Sequence, residues 1–320
     1  MKNFKYPLIN LICILLLYGV CFSLISTGIL NNYYQGILVL IMINIILSVS
    51  LNLVTGFLGQ LTLGHAGFMA IGAYTSAIFT RYVDLPEALQ LPVALLISGI
   101  IAAIFGIIIG IPALRLRGDY IAILTLGFGE MIRGLIVYFS NVTGGAKGFI
   151  GIPFYSNFSV VFWITIATIF ILNTLINSRH GRAIISIRED EIASEASGIN
   201  IVYYKILAFC VSSFFAGIAG SLFAHYQGVL EPSKFNYNYS IEILIMVVFG
   251  GMGSLTGSII ATIILVAIPE LLSQFSQYRM LIYSILLILI MIFKPQGLLG
   301  KYEFSLSRII KKFERKRRGD

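Results

Sequence analysis

SIEILIMVVFGGMGSLTGSIIATIILVAIPELL, residues Ser240–Leu272, is the stretch on which the topology of this chain turns. It is apolar almost throughout and longer than the roughly 20 residues that one helix needs to cross a bilayer. Gly250, Gly251, Gly253 and Gly257 interrupt its middle, and each glycine weakens a helix by about 1 kcal/mol. The stretch therefore reads as two membrane segments rather than one.

Outward from it, further apolar runs of spanning length fill the chain: Leu8 to Ile29, Ile37 to Val54, Phe57 to Thr80, Leu91 to Ile111, Ile121 to Phe139, Ser159 to Ile176 and Ile206 to Tyr226. Of the 320 residues, 58% are apolar or aromatic and 11% are charged, where a soluble domain carries about 25% charge. Lipid is thus the solvent for most of the surface. Cys13, Cys21 and Cys210 lie inside apolar runs without metal-like or CxxC spacing, so they read as core or lipid-facing residues.

The formal charge of +8 follows the membrane rather than a nucleic-acid partner. If the amino end is cytoplasmic, the passes return the chain there at Asn177, and the polar segment 177–204 with Lys205 carries Arg179, Arg182, Arg188 and Lys205, in line with the positive-inside rule. The tail beyond Lys294 is basic, and 301–320 is its most charged part, so both termini belong in the cytoplasm. An even number of crossings must then follow Lys205; three runs remain there, Ile206–Tyr226, Ser240–Leu272 and a last one between Arg279 and Lys294, and the split of the second makes four, giving about ten segments in all. Arg81, Lys147, Lys234 and Arg279 are left outside and Arg133 within a span. The first run is about 22 residues long, without a small-x-small cleavage site, and reads as a span rather than a secretory signal. The tail, with Ile309, Ile310 and Phe313 among its basic residues, reads as a topology anchor, with RNA or lipid binding as alternatives.

An internal echo divides the chain into two related halves. Gly56-Phe-Leu-Gly59-Gln60-Leu-Thr62 aligns residue for residue with Gly250-Gly-Met-Gly253-Ser254-Leu-Thr256, and each opens a fresh apolar helix. Glycines of this kind often serve only close helix packing. In matching positions of two halves they point instead to interrupted helices beside a translocation path, because non-helical backbone at membrane depth must face protein or a watery cavity. Gly56, Gly59, Gln60, Thr62 and His65, with Gly250, Gly253, Ser254 and Thr256, are the candidates for that path.

Ionisable residues inside the spans are few and costly unless paired or hydrated. Glu130 and Arg133 are three apart, on one helical face, and read as an ion pair. His65 has no nearby Asp, Glu or Cys, so a packed imidazole is favoured over a ligand or proton relay. The sequence holds no GxxxxGK[ST], HExxH or GxSxG motif and no cluster of catalytic carboxylates; no catalytic residue, metal or cofactor is expected, and any ATP must be hydrolysed elsewhere. Gly181 to Gly198 is the longest polar stretch between spans. It reads as a short amphipathic helix with Ile184, Ile185, Ile187, Ile192 and Ala196 on one side, Arg188, Glu189, Glu191 and Glu195 on the other, and Gly198 as its stop; a plain surface loop is the alternative.

That segment resembles the cytoplasmic coupling loop of branched-chain amino-acid permeases from bacterial ABC importers. Gly56-Phe-Leu-Gly-Gln-Leu-Thr-Leu-Gly-His-Ala-Gly-Phe-Met-Ala-Ile-Gly-Ala-Tyr74 is similar to the family's first-half signature, Val248-Phe-Gly-Gly-Met-Gly-Ser-Leu-Thr-Gly257 to its second, and Lys294-Pro-Gln-Gly-Leu-Leu-Gly300 to its closing motif. Leu116 to Arg133 and Thr143-Gly-Gly-Ala-Lys-Gly148 resemble the LivM type rather than the LivH type. The resemblance implies an all-α, type II importer fold of about ten helices in the bacterial cytoplasmic membrane, 1–320 forming one domain. It also implies a LivH-like second permease, two cytoplasmic ATP-binding subunits and an extracytoplasmic binding protein. Gly181, Ile184, Ile187, Arg188, Glu191, Ile192, Glu195 and Gly198 would couple to the ATPase, the isoleucines docking into it and the rim charges adding less. Leucine, isoleucine or valine is the implied solute, with urea, another small amide or amino acid as the alternative; an ion-coupled secondary transporter is the competing class.

Overall fold

Asn32 to Asn52 forms helix α2, buried almost completely from Val39 onward, with the helices Phe158–Asn177, Ile201–Gln227, Tyr237–Gly250 and Leu255–Leu271 packed against it. The computed structural model describes residues 5–28, 30–114, 116, 118–271, 284, 288, 294, 297–300 and 303. The expected last span between Arg279 and Lys294 and the basic tail fall outside these residues, apart from the isolated positions.

In chain order the helices are α1 (Lys5–Ser26), α2, α3 (His65–Tyr82), α4 (Glu87–Ala113), α5 (Tyr120–Tyr138), a single turn α6 (Ser140–Thr143), α7 (Phe158–Asn177), α8 (Arg179–Glu189), α9 (Glu191–Ala196), α10 (Ile201–Gln227), α11 (Tyr237–Gly250) and α12 (Leu255–Leu271). Among the described residues five stretches are long and apolar enough to cross a membrane, Asn32–Phe57, Ala88–Ala113, Tyr120–Tyr138, Phe158–Asn177 and Ile201–Gln227, and Ile12–Ser26, Tyr237–Gly250 and Leu255–Pro269 are shorter apolar helices. The protein is an all-α polytopic membrane protein. Along α4, Leu96, Ile100, Ile104, Ile108 and Ile111 are exposed, an apolar stripe that only lipid or another apolar chain can cover.

Close packing of α3, α4 and α10 rests on small residues. A side chain on Gly72 would strike the Gly217 backbone, one on Gly220 the Met69 carbonyl, and one on Gly217 would lie 2.6 Å from both Ala102 Cβ and the Ser98 carbonyl. Lipid supplies no hydrophobic drive between membrane helices, so such backbone approach is what holds them. Helix α1 lies outside, seated on α7 through Tyr18, which stacks on Phe158 and bonds Ser159 Oγ at 3.0 Å.

The two ends of the bundle differ. At one, strand β1 (Phe149–Ile150) pairs antiparallel with β2 (Val229–Leu230), Arg81 lies 5.0 Å over the Phe149 ring, and Lys147 and Lys234 sit in the adjoining turns. Here buried His225 receives Ser76 at 2.8 Å, Ser221 donates to Ser76 at 2.7 Å, and His225 Nδ1 meets the Pro153 carbonyl at 2.9 Å. A carbonyl only accepts, so Nδ1 carries the proton and Nε2 accepts from Ser76. This chain ties the 151–157 segment to α3 and α10. The other end, about 40 Å away along the 27-residue α10 at 1.5 Å per residue, carries α8, α9 and the glycine breaks.

The apolar stretch that begins at Ser240 is, as far as Leu271, two helices, α11 and α12, parted at 251–254. Phe57–Thr80, in contrast, is not one helix. The end of α2 widens into a π turn at Leu53–Phe57, residues 58–64 are irregular, and α3 begins only at His65. Gly59, at φ 79°, turns the chain in a conformation that side chains disfavour.

Candidate functional site

The irregular stretch 58–64 is sustained by neighbouring side chains, as backbone removed from water requires. Leu63 N donates to Thr125 Oγ1 of α5 at 2.9 Å, and Ala66 N to Ser240 Oγ of α11 at 3.1 Å. Leu58 N reaches back to the Leu53 carbonyl at 3.1 Å and Gln60 N to the Val54 carbonyl at 3.0 Å.

The second break is tighter. Gly253, the residue that matches Gly59 in the repeat, also has positive φ, 87°. Ser254 opens α12, its Oγ accepting from Gly257 N at 3.1 Å as N-cap serines do. Leu298 N donates to the Phe249 carbonyl at 2.7 Å and Leu299 N to that of Gly250 at 3.3 Å, while Glu303 accepts from Leu255 N at 2.6 Å. The Gly297–Gly300 part of the closing motif thus serves the free carbonyls at the end of α11.

Asn52 joins the two breaks. Its Oδ1 accepts from Gly253 N at 2.9 Å, and its Nδ2 donates to the Ser254 carbonyl and to Ser258 Oγ, each at 2.9 Å. A Cβ on Gly56 would fall onto both Asn52 Oδ1 and Gly253 N. The seam continues along α2 and α12, where Thr262 donates to Ser48 at 2.8 Å, and Tyr239 of α11 donates to Asn44 at 3.1 Å. Asn44, Ser48 and Asn52 recur every four residues, as do Ser254, Ser258 and Thr262, so each set forms one face of its helix.

Arg188, at the end of α8, reaches this seam. Its Nη1 donates to the Gly56 carbonyl at 2.8 Å, while Nη2 and Nε bind Glu189 Oε1 at 2.6 and 3.1 Å. The expected single amphipathic helix over Gly181–Gly198 is two, because Asp190 is extended at φ −155° and caps α9 by accepting from Ala193 N. Gly198, at φ 83°, ends α9 with Ile199 N bonded to the Ser194 carbonyl, as a Schellman stop does. The apolar side of α8 faces inward: Ile184 is 0% exposed and Ile187 5%, and Gly181 packs on the Ile176 backbone. Ile184 and Ile187 therefore belong to this chain's own core rather than to a docking face, and Ile192, 78% exposed, is the isoleucine presented outward. Glu191 pairs with the buried Lys205 of α10 at 2.7 Å, and Glu195 is exposed.

The remaining expected residues are distributed unevenly. Gly56, Gly59, Gly250, Gly253 and Ser254 meet at the seam, and Thr256 Oγ1 lies 3.3 Å from Ser254 Oγ. Thr62 is buried, and Gln60 keeps a buried Oε1 without a hydrogen-bond partner. His65 is buried behind the break, bonded to Ser50 Oγ at 3.0 Å. Glu130 and Arg133 are paired at 2.6 Å away from the seam; Glu130 Oε1 also accepts from Tyr237 N at 3.0 Å, where α11 begins and a negative charge is favourable. Asn52, the hub of the seam, carries no charge and lies outside the residues that the glycine motifs and ionisable groups single out; its four-residue polar spacing with Asn44 and Ser48 is the signal that marks it.

Interrupted helices whose breaks meet in a polytopic helical bundle, with a polar helix pair bonded to their junction, define a membrane permease built from two related break motifs. The chain belongs to the family of branched-chain amino acid transport system permease components, whose profile matches residues 33–293, and within it to the LivM type. It is 41% identical over 294 residues to the high-affinity branched-chain amino acid transport system permease protein LivM of Escherichia coli K12, covering 81% of this chain and 68% of that protein. It is 30% identical over 148 residues to the LivH permease of Salmonella typhimurium, covering 45% and 48%. The ribose import permease RbsC of Haemophilus influenzae is 27% identical over 240 residues, covering 68% and 72%. No solved structure matches the chain.

Proposed function

We propose that the chain forms half of the solute path of an ATP-driven importer for leucine, isoleucine and valine in the bacterial cytoplasmic membrane. A LivH-like permease supplies the other half, two cytoplasmic subunits hydrolyse the ATP, and an external binding protein delivers the solute. The observation that carries this reading is the junction of the two glycine breaks with α8: a path element and a cytoplasmic lever share one hydrogen-bonded seam. In this reading the chain crosses the membrane about ten times, with both termini, α8 and α9 cytoplasmic and Lys147 and Lys234 external. A cysteine at position 234 that reacts only from the cytoplasmic side overturns that orientation.

Ion coupling finds less support from the carboxylates that such a transporter can place near the midplane. Among the described residues the Glu130–Arg133 pair is instead closed onto the start of α11. Membership in a scaffold shared with a ribose permease makes the solute the part to test. Reconstituted with its partners in vesicles, the assembly should accumulate leucine, isoleucine and valine when ATP is inside the vesicles on the ATPase side, and neither urea nor ribose. Uptake of urea or ribose alone reassigns the solute, and ATP-independent, ion-driven uptake removes the class. Ile192→Asp should release the ATPase or uncouple it, since a charge then replaces the exposed apolar contact of α9.

A further inference from the structure

The two glycines that match across the internal repeat, Gly59 and Gly253, face the same side chain. A Cβ on Gly59 would lie 2.6 Å from Arg188 Cγ, and one on Gly253 would lie 2.8 Å from Arg188 Nη1 and 3.4 Å from the Gly56 carbonyl oxygen. Arg188 therefore passes between the breaks, its stem against the first and its guanidinium against the second, and its Nη1 donates to the Gly56 carbonyl. Both glycines also hold positive φ, so the room for the arginine and the turn of each break come from the same residues. Asn52 holds Gly253 N from the other side.

Arg188 stands at the last turn of a helix that has no independent freedom. Helix α8 is fixed from within by Ile184 and Ile187, and α9 is tied to α10 by the Glu191–Lys205 pair, with Lys205 buried. Among the described residues, the bond from Arg188 to the Gly56 carbonyl is the direct polar contact of α8 and α9 with the breaks. We infer that Arg188 is a positioning residue, a latch through which movement of α8 and α9 is delivered to both glycine breaks at once. An arginine suits this because its planar fork bonds in two directions, to the Gly56 carbonyl and to Glu189, where an ammonium offers one compact charge. The expectation that Arg188 is a rim charge of small effect gives way to one in which it is the link itself.

This inference rests on the importer reading for one of its two tests and is independent of it for the other. In the assembled complex, Arg188→Ala should leave the ATPase bound and hydrolysing, but lower solute taken up per ATP hydrolysed at least tenfold, with Arg188→Lys recovering part of the ratio. In the second test, spin labels are placed on cysteines at Met252 and Ser197, both exposed, with Cys13, Cys21 and Cys210 replaced by serine. The distance between them should be narrowly distributed in the wild-type background with and without ATP, and broad in Arg188→Ala. An unchanged transport ratio in Arg188→Ala overturns the latch, as does an unchanged label distribution. If the wild-type assembly moves none of the branched-chain amino acids, the solute assignment fails while the label distances still decide the latch. Where Arg188→Ala fails to assemble, Arg188→Lys is read on the same scales, and wild-type values in both overturn the proposal.

Discussion

The two glycine breaks share a sequence motif and are sustained in different ways. The first spreads over a π turn and irregular residues up to Gly64, and takes its hydrogen bonds from side chains of distant helices, Thr125 and Ser240. The second is a short turn between α11 and α12, served by the returning segment Gly297–Gly300 and Glu303. A repeated motif thus conserves the glycine conformation while each half satisfies the opened backbone with whatever lies nearby. What they hold in common is Asn52 and Arg188, each of which touches both. Substitutions at the shared residues should accordingly cost more than those confined to one break.

Gly56→Ala is the most severe test of that ordering. The new methyl falls onto Asn52 Oδ1 and Gly253 N, two atoms bonded to each other, so neither can yield without opening the seam. Overpacking of this kind costs about 3 kcal/mol, and thermal unfolding in detergent should show it together with lost uptake. A well-folded, active Gly56→Ala protein would mean that the breaks separate freely and that the seam is not a constraint. Asn52→Ala should cost about 2 kcal/mol, because the half-buried Gly253 N loses its acceptor and the Ser254 carbonyl and Ser258 lose their donor; the same assay reads it.

Thr125→Val sharpens the contrast by touching the first break alone. It removes the acceptor of Leu63 N while keeping the volume, and should destabilise by about 1 kcal/mol with Asn52 and Gly253 unaffected. Hydrogen exchange is the discriminating measurement: the amides of 61–66 should exchange faster and those of 253–258 should not. Equal acceleration at both breaks would show that they open as a unit.

Much of this arrangement is written locally, and the part that is not depends on which faces meet. The glycines announce both breaks and the division of Ser240–Leu272, because glycine acts through its own backbone. The Phe57–Thr80 run conceals an irregular start, since Leu58, Leu61 and Leu63 are as apolar as any helix while Thr125 and Ser240, which support them, lie far away in sequence. The amphipathic pattern of 181–198 is legible, yet an apolar side says only that something covers it. Ile184 and Ile187 are covered by the chain's own core, and an extended Asp190 detaches Ile192 to face outward. Asn52 escapes a search for ionisable groups, and its meaning appears only when the four-residue polar faces of α2 and α12 are brought together.

Those facing stripes also set the smallest prediction. Thr262 Oγ1 donates to Ser48 Oγ, and the same hydroxyl lies 2.8 Å from the Ser258 carbonyl of its own helix, while Ser48 has a second partner in the Ile45 carbonyl at 3.2 Å. Thr262→Val therefore removes an interhelical bond without stranding a backbone group, and Ser48 still donates within α2. Interhelical hydrogen bonds of this sort in a membrane average about 0.6 kcal/mol, so the expected loss is about 0.5 kcal/mol, a fraction of that for Asn52→Ala. The comparison lies in the gradient along one helix pair: the effect should rise from Thr262 through Ser258 to Asn52 as the seam nears Gly253. A double-mutant cycle of Ser48→Ala with Thr262→Val, read by thermal unfolding, isolates the pair itself. Coupling there as large as that at Asn52 would show that α2 and α12 are fastened along their whole length, and that the breaks have no privileged place in holding them together.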